Sequence, residues 1–222
     1  MAKFEVGTHG RGEESVQWQM ARKRRYSSHW VGRLESLDHW ILYWHQLKLM
    51  EGVVEKGDTV VEIGVGSGFL SNYLRSRGVH VITLDVDPNK APDIFIDAVD
   101  FYPKRSFDFL CAFEVFEHME FHEMGQIIDN IGGKLKKGCF VSVPSLRKSL
   151  VRLDARLPIF HCIKFDITMP KRTITSKHHH WELGFKNFDE ARFLCEFETR
   201  GFLLRKRLTF RKWHFFFWVK PT

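Results

Sequence analysis

The apolar residues in the central part of the chain fall into short runs, separated by segments rich in glycine, proline and charge. Runs with the length of strands occur at 60–63, 79–85, 93–98, 106–113 and 139–143. The first run is apolar at nearly consecutive positions, which is typical of a strand buried on both faces of a sheet. Helix-type residues follow it at 69–74. The pattern predicts an α/β fold with a mostly parallel sheet.

The end of the chain predicts an antiparallel hairpin. Two strand-like runs, 202–210 and 213–219, are separated by only two residues. A parallel crossover needs about a dozen residues or more, so these strands must pair antiparallel. The aromatic run in the last strand is far too short to span a bilayer, which favours a buried strand. Before the hairpin, residues 187–190 resemble a capping box and predict a helix that runs to Arg200 and stops at Gly201.

A glycine-rich loop follows the first strand. The strand ends at Glu62 and is followed by three alternate glycines, Gly64, Gly66 and Gly68. Such glycines let the backbone turn sharply and let a ligand lie against the main chain, which predicts a nucleotide-like ligand. The dinucleotide pattern G-x-G-x-x-G would place its third glycine at Phe69 instead. The negative charge of Glu62 would also disfavour a pyrophosphate.

S-adenosylmethionine has no phosphate and carries a sulfonium and an ammonium group, so an acid before the glycines suits it. Residues 62–68 resemble the E-x-G-x-G-x-G motif of the class I S-adenosylmethionine-dependent methyltransferases, small-molecule type. The resemblance covers residues 53–144 and, by topology, 184–220. It implies a Rossmann-like, doubly wound sheet, with the last strand inserted beside the fifth. It also implies S-adenosyl-L-methionine as the cofactor.

Acids at later strand ends extend the resemblance. Asp85 ends the second strand about twenty residues after the glycines, where a carboxylate can accept hydrogen bonds from both ribose hydroxyls. In the family, the acid that matches Asp97 meets the adenine amino group, and the segment 114–118 follows strand four. The expected cofactor-binding residues are Glu62, Gly64, Val65, Gly66, Gly68, Asp85, Val86, Asp97, Ala98 and Glu114.

Histidines are the candidates for proton removal. Methyl transfer is an in-line displacement that requires an aligned, dry site. A hydroxyl nucleophile must also lose a proton, and histidine is suited to accept it near neutral pH. His118 follows strand four, and His178, His179 and His180 lie in a segment that arches over the active site in the family. We hypothesise that one of the four is the base, although a solvated histidine run and a local hydrogen bond of His118 are alternatives.

Residues 1–52 precede the common fold and predict an N-terminal helical extension. One helix is predicted from Ser15 to Tyr26, ending in a basic run at 22–25, and a second from Ser36 to Glu51. The second helix carries an apolar stripe at Leu37, Trp40, Ile41, Trp44 and Leu47. Packing on the sheet edge is the favoured interpretation. The alternative is a lid over the cofactor, with Arg33, Tyr43 or His45 facing its methionine end.

The methyltransferase domain is predicted to span 53–222, with a basic insertion on the substrate side at 145–186. Within it, Leu146, Leu150, Leu153 and Leu157 predict one face of a helix that Pro158 ends. Basic residues surround these leucines, so the element could contact an anionic lipid surface, an anionic substrate or a partner. A solvated charged face is an equally good interpretation.

The composition adds three expectations. A chain of 222 residues suits one decorated α/β domain. Its four cysteines have neither C-x-x-C pairing nor zinc spacing, so no metal site is predicted. There is no signal-peptide pattern and no long apolar stretch, which predicts no transmembrane segment and a cytoplasmic location.

The remaining question is the methyl acceptor. The sequence lacks the short signatures of adenine-amino methylation, of pyrimidine methylation through a cysteine nucleophile and of ribose methylation by a Lys-Asp-Lys-Glu tetrad. O-methylation of a small or carrier-linked metabolite is therefore favoured, followed by N-methylation. The net charge of +7 and the basic clusters leave RNA methylation as an alternative. A non-catalytic S-adenosylmethionine-binding protein is the third interpretation.

Overall fold

The computed structural model of this chain describes residues 36–155, 163–170, 173–174 and 176–221, with the backbone alone for the strands between 147 and 170. Its strands are β1 (Thr59–Ile63), β2 (His80–Asp85), β3 (Ile94–Phe95), β4 (Phe107–Phe113), β5 (Leu135–Pro144), β6 (Arg147–Ala155), β7 (Ile163–Pro170), β8 (Leu203–Phe210) and β9 (Trp213–Val219). Seven strands form one sheet in the order β3-β2-β1-β4-β5-β9-β8. The first five pair in parallel, and β9 is antiparallel to both of its neighbours. Strands β6 and β7 pair antiparallel in a sheet of their own.

Helices cover both faces of the large sheet. They are α1 (Leu37–Met50), α2 (Phe69–Ser76), α3 (Phe121–Gly132) and α4 (Glu190–Glu198). Apolar residues of α3 and α4 belong to one core cluster, and those of α1 and α2 belong to another. Alternate residues of β9 divide between the two, since Phe216 and Trp218 join the first cluster and Phe215 and Phe217 join the second. The aromatic run is therefore a strand buried on both faces, as predicted.

This architecture confirms the predicted fold class. The sheet is doubly wound and mostly parallel, it ends in an antiparallel hairpin, and β9 lies between β5 and β8. Gly138 permits that insertion, because a Cβ atom at this position would lie 2.0 Å from the carbonyl oxygen of Trp218. Within the described ranges, no helix is both long and apolar enough to cross a membrane.

The helix predicted over 146–157 is wrong. Leu146 is followed directly by β6, which pairs with β7 from Arg147 opposite Pro170 to Ala155 opposite Ile163. Pairing across this ladder satisfies the backbone groups of β6 that face β7. Helical spacing within the segment carries no information about a distant partner strand. Leu157 and Pro158 lie outside the described residues.

Helix α1 packs on the β8–β9 edge, as favoured from the sequence, but through a different face. Its most buried apolar residues are Leu42, Leu49 and Met50, whereas Leu37, Trp40 and Trp44 of the predicted stripe are more than half exposed. Contacts with the β8–β9 hairpin determine the rotation of this helix about its axis. The ring of His45 stacks on Phe210 at 4.5 Å, and the Lys206 ammonium donates to the Lys48 carbonyl. The predicted helix at 15–26 and Arg33 lie outside the described residues.

Two element boundaries also differ from the prediction. The third strand is only two residues long, because Asp97 turns the chain and caps a 3-10 helix at Ala98–Asp100 by accepting from the Val99 amide. Helix α4 has no capping box at 187–190. Its cap is the side chain of Asp189, which accepts a hydrogen bond from the Arg192 amide at 2.8 Å.

Candidate active site

A cavity of about 660 Å³ opens where the carboxyl ends of β1, β2 and β4 meet. Parallel strands end at the same edge of a sheet, and doubly wound folds bind ligands there. The predicted cofactor-binding residues that line the cavity are Glu62, Gly64, Val65, Gly66, Asp85, Val86, Asp97, Ala98 and Glu114. Gly68, the N-cap of α2, does not line it.

The glycine loop needs its glycines for two different reasons. Gly64 has φ +81°, and a Cβ atom there would lie 2.7 Å from the side chain of Val115. Gly66 also has a positive φ, +58°, but a Cβ atom there would meet nothing within 4 Å. The first glycine therefore allows close packing, and the second leaves the main chain open to a ligand.

Glu62 is a buried acid at the base of the cavity. Only 5% of the residue is exposed, and its Oε2 has no hydrogen-bond partner among the described residues. Burial raises the pKa of Glu62 to about 8, although Arg75 and Ser71 act in the opposite direction. A buried carboxylate without a partner is costly, so this oxygen is suited to a cationic ligand group.

Asp85 joins the glycine loop to the end of β2. Its Oδ2 accepts the amide of Val65 at 2.9 Å, and its Oδ1 accepts the amide of Asp87 at 2.9 Å. The ammonium group of Lys90 lies 3.2 Å from Oδ2. Each carboxylate oxygen can accept more than one hydrogen bond, so Asp85 can support the loop and still accept from a ligand hydroxyl.

Glu114 holds an unusual backbone conformation at the end of β4. Its φ is +55°, which is rare for a residue with a side chain. The Oε1 atom accepts the hydroxyl of Ser142 at 2.8 Å. Burial raises the pKa of Glu114 to about 7, and Ser142 and Lys212 limit the rise. The strained turn directs the chain from β4 to the 3-10 helix Phe116–His118.

Helix α1 covers the glycine loop. The hydroxyl groups of Tyr43 and Ser67 are 2.8 Å apart, and the Tyr43 ring stacks on Phe69 at 4.6 Å between centroids. Tyr43 lines the cavity, whereas His45 does not. Three residues are candidates for a lid over the cofactor. Of these, only Tyr43 is observed to line the cavity where the cofactor would bind, and Arg33 lies outside the described residues.

The four candidate histidines have different environments. His118 and His178 line the cavity, and His118 Nδ1 donates to the carbonyl oxygen of His178 at 3.1 Å, which makes Nε2 the basic nitrogen of the neutral His118 ring. Burial, with a further contribution from His179, lowers the pKa of His118 to about 3, so its ring is neutral at physiological pH. His180 is exposed, pairs with Glu120 at 2.8 Å and does not line the cavity.

His179 is part of a cluster with two buried acids. Its Nδ1 is 2.6 Å from Oε1 of the fully buried Glu182, and its ring packs edge-on against His118 at 4.7 Å. Glu117 is 1% exposed, its Oε1 is 3.9 Å from His118 Nε2, and its Oε2 has no partner among the described residues. Burial raises the pKa of Glu117, and the charge of Glu114 raises it further. We refer to Glu117, His118 and His179 as the acid–histidine cluster.

Two hydrogen bonds to backbone carbonyl groups assemble this cluster from distant parts of the chain. The amide of His180 donates to the carbonyl of Glu117 at 2.7 Å. The indole of Trp181 donates to the carbonyl of Met119 at 3.1 Å. Sequence analysis identifies both histidines but not Glu117 or Glu182. The E-x-x-E-H spacing from Glu114 is a sequence signal for Glu117. Glu182 lies three residues after His179, but its approach to Glu117 depends on tertiary structure.

The residues of the cavity fit S-adenosylmethionine. Glu62 presents a buried carboxyl oxygen without a partner among the described residues, and the ammonium of the methionine end would favour its ionised form. Gly66 leaves room beside the main chain, and Asp85 retains acceptor capacity for ribose hydroxyls. When bound, this cofactor supplies an electrophilic methyl group on a sulfonium.

Comparison with solved structures gives the same fold. N-methyltransferase NodS from Bradyrhizobium japonicum WM9, in complex with S-adenosyl-L-homocysteine, has a TM-score of 0.58 at 15% identity, covering 93% of this chain and 99% of that one. Small RNA methyltransferase HEN1 has a TM-score of 0.56 at 14% identity, covering 84% of this chain and 25% of that one. Magnesium protoporphyrin IX methyltransferase (ChlM) from Synechocystis PCC 6803 has a TM-score of 0.51 at 14% identity, covering 97% and 87%.

Family membership follows from the sequence match. No curated protein matches this chain significantly. A family model described as a methyltransferase domain matches residues 32–191, which is more than half of the chain. The match confirms the predicted enzyme class and, with it, S-adenosylmethionine as the cofactor that this class uses. This chain therefore belongs to the methyltransferase domain family and is a class I S-adenosylmethionine-dependent methyltransferase.

Proposed function

We propose that this methyltransferase transfers the methyl group to a hydroxyl oxygen of a small or carrier-linked metabolite. The observation that supports this acceptor is the acid–histidine cluster, which lines the same cavity as the glycine loop. A hydroxyl must lose a proton during transfer, whereas an amine that is already neutral needs no base to attack. Two imidazoles and a buried carboxylate on one wall of the cavity are suited to hold a hydroxyl group and to accept its proton.

The cofactor would be held by the residues at the strand ends. Glu62 would face the ammonium, Asp85 would accept from the ribose hydroxyls, and Asp97 would meet the adenine. Tyr43 would cover the loop from α1. These contacts exclude water from the reacting groups and fix their alignment, which is the main contribution that protein residues make to such a displacement.

Among the four candidate histidines, we propose that His118 and His179 hold the acceptor hydroxyl. The His118 tautomer, with its proton on Nδ1, presents Nε2 as an acceptor, and Glu182 orients the His179 ring in the same way. The side chain of His180 pairs with Glu120 outside the cavity. His178 contributes its carbonyl oxygen to the position of His118.

The first test is cofactor binding. We expect calorimetry to detect S-adenosylmethionine binding, and Asp85→Ala to weaken it by about 1–3 kcal/mol, the usual value for lost charge-assisted hydrogen bonds. Because Asp85 also accepts two backbone amides, the Tm of the variant must be measured alongside. A folded wild-type chain that does not bind the cofactor would contradict the proposal.

The second test identifies the acceptor. Methyl transfer from labelled S-adenosylmethionine should favour hydroxyl acceptors over matched amines. His118→Gln and His179→Gln should lower turnover about 10²- to 10⁴-fold, with little change in cofactor affinity. His180→Gln is the matched control. Preferred amine methylation would show that the acceptor atom is nitrogen, and cofactor binding without any methylated product would favour a non-catalytic binding protein.

RNA is a second candidate acceptor, supported by charge. The chain carries a net charge of +7, and β6 and β7 bring basic residues into a hairpin that leaves the core at Leu146 and returns near Ser176, which lines the cavity. RNA binding that falls steeply with added salt would favour this candidate. No binding at low salt would exclude it.

A further inference from the structure

We infer that the acid–histidine cluster is a binding site for one divalent transition-metal ion, held by Glu117, His118 and His179. One ligand atom from each residue lies within 4.8 Å of the other two. Atoms that ligate the same ion at about 2.1 Å lie roughly 3–4 Å apart, so small side-chain rotations bring the three atoms to bonding distance. No metal site is predicted from the sequence, because the ligands come from two segments with no recognisable spacing between them.

The hydrogen bonds around the cluster prepare both rings for a metal. A ligating histidine usually donates its other ring N–H to a carbonyl or a carboxylate, which fixes the tautomer. Nδ1 of His118 donates to the carbonyl of His178 at 3.1 Å, and Nδ1 of His179 is 2.6 Å from the carboxylate of Glu182. In each ring, Nε2 is therefore the nitrogen with a lone pair for the ion. Glu182 acts as a positioning residue for His179.

The buried acids supply a second, independent reason for a cation. Glu117 is 1% exposed and its Oε2 has no hydrogen-bond partner in the described part of the chain. Glu114 and Glu182 are close enough to Glu117 for their charges to act on it. The ammonium of Lys212 also acts on Glu117. A divalent ion at the cluster would lie beside the unpartnered oxygen and stabilise the ionised form of this buried carboxyl group.

The ligand types indicate the class of ion. Imidazole nitrogens suit zinc, iron, nickel and copper, whereas magnesium and calcium prefer sites built wholly from oxygen. Two imidazoles with one carboxylate leave coordination positions open, as in catalytic rather than structural metal sites. The cluster therefore favours a first-row transition metal over magnesium.

Such an ion would act on the acceptor, and this part of the inference rests on the proposed hydroxyl acceptor. The cluster lines the same cavity as the glycine loop, so an open coordination position would face the space shared with the cofactor. A metal-bound hydroxyl has a much lower pKa than a free one. With the ion bound, Nε2 of His118 and of His179 would hold the metal, and the metal would contact the acceptor oxygen in their place and favour loss of its proton.

The experiment uses Co²⁺ as the probe, because its visible absorption reports nitrogen and oxygen ligands directly. The full chain, without an affinity tag and stripped with a chelator, is titrated with Co²⁺, and bound metal is measured by dialysis and absorption. We expect one Co²⁺ per chain, and weakening by about 100-fold or more in Glu117→Gln and in His179→Gln. Glu182→Gln should weaken binding roughly 10- to 100-fold, because the orienting bond is lost.

The matched control is His180→Gln, which changes the neighbouring histidine and should leave Co²⁺ binding within about twofold of wild type. Tm values of all variants establish that they are folded. Absence of stoichiometric binding, or equal binding by Glu117→Gln and His179→Gln, would overturn the site. Displacement of Co²⁺ by equimolar Mg²⁺ would overturn the assignment to a transition metal.

Calorimetry of S-adenosylmethionine binding on the same stripped samples separates the two proposals. If the cofactor binds but Co²⁺ does not, the metal site is wrong and the proposed methyl transfer stands. If Co²⁺ binds but the cofactor does not, the proposed function is wrong and the site remains. We expect the stripped chain to retain cofactor binding, because Glu62 and Asp85 do not belong to the cluster.

Discussion

Replacing Glu62 by glutamine should stabilise the cofactor-free chain and weaken cofactor binding at the same time. Burial raises the pKa of Glu62 from 4.5 to about 8, and its Oε2 has no hydrogen-bond partner among the described residues. Glutamine has nearly the same shape and no charge. The substitution therefore removes the cost of ionisation and keeps the volume of the side chain.

The sign of the pH effect follows from the two pKa values. Below pH 4.5, Glu62 is protonated in both the folded and the unfolded chain and does not affect the pH dependence of stability. As the pH rises from 4.5 to 8, the unfolded chain loses this proton while the folded chain retains it, so the free energy of unfolding falls. The resulting penalty is about 1 kcal/mol at pH 5 and about 4 kcal/mol at pH 7.5. Above pH 8 the penalty no longer grows.

Urea unfolding followed by tryptophan fluorescence measures this penalty, because the chain contains seven tryptophans. The difference in unfolding free energy between Glu62→Gln and wild type should shift in favour of the variant by about 3 kcal/mol between pH 5 and pH 7.5. All other titrating groups are common to both chains and cancel in the comparison. A difference that is constant over this pH range would show that Glu62 ionises normally, and our account of its burial would be wrong.

Cofactor binding should change in the opposite direction to stability, because Glu62→Gln is expected to weaken it. The ammonium of S-adenosylmethionine should favour the ionised form of Glu62, so binding to the wild type at pH 7 should release a fraction of a proton. Calorimetry in buffers with different ionisation enthalpies detects that proton. Glu62→Gln should bind S-adenosylmethionine more weakly and should lack the proton release that comes from Glu62. Equal proton release by both chains would assign the proton to another group.

Three further predictions test packing and the loop. Gly138→Ala should destabilise the chain by several kcal/mol in urea unfolding, because its Cβ atom would lie 2.0 Å from the Trp218 carbonyl oxygen. Gly132→Ala is the matched control: its Cβ atom meets nothing within 4 Å at the end of α3, so stability should rise by up to about 1 kcal/mol, and a loss would count against the packing described here. Tyr43→Phe should weaken cofactor binding by about 0.5–1.5 kcal/mol in calorimetry through loss of the Ser67 hydrogen bond, and unchanged affinity would argue against a covering role for α1.

Much of the fold could be predicted because its elements are locally encoded. The strand that contains Glu62 is apolar at Val60, Val61 and Ile63 and is followed by glycines at positive φ, so its identity does not depend on distant residues. The hairpin at Phe210–Trp213 is equally local, since two residues cannot connect parallel strands. These elements place the glycine loop, and with it the cofactor side of the site.

The elements that were predicted wrongly depend on partners. Strand β6 has leucines at helical spacing, but β7 supplies a ladder that local sequence does not show. Helix α1 buries Leu42 rather than Trp40, because the β8–β9 hairpin determines which face turns inward. The approach of His179 and Glu182 to Glu117 likewise depends on tertiary structure, because the backbone hydrogen bond from the His180 amide to the Glu117 carbonyl joins two distant segments of the chain.

Asp58, Glu62 and Glu117 are buried acids with different surroundings. Asp58, away from the cavity, accepts the Glu55 amide and pairs with Lys137, so its charge is compensated within the fold. Glu62 and Glu117 line the cavity, and each retains a buried oxygen without a partner in the described residues. An unsatisfied buried carboxylate costs stability unless a ligand compensates it. For the two oxygens in this cavity we therefore propose two cationic ligands, the ammonium of the cofactor at Glu62 and a metal ion at Glu117.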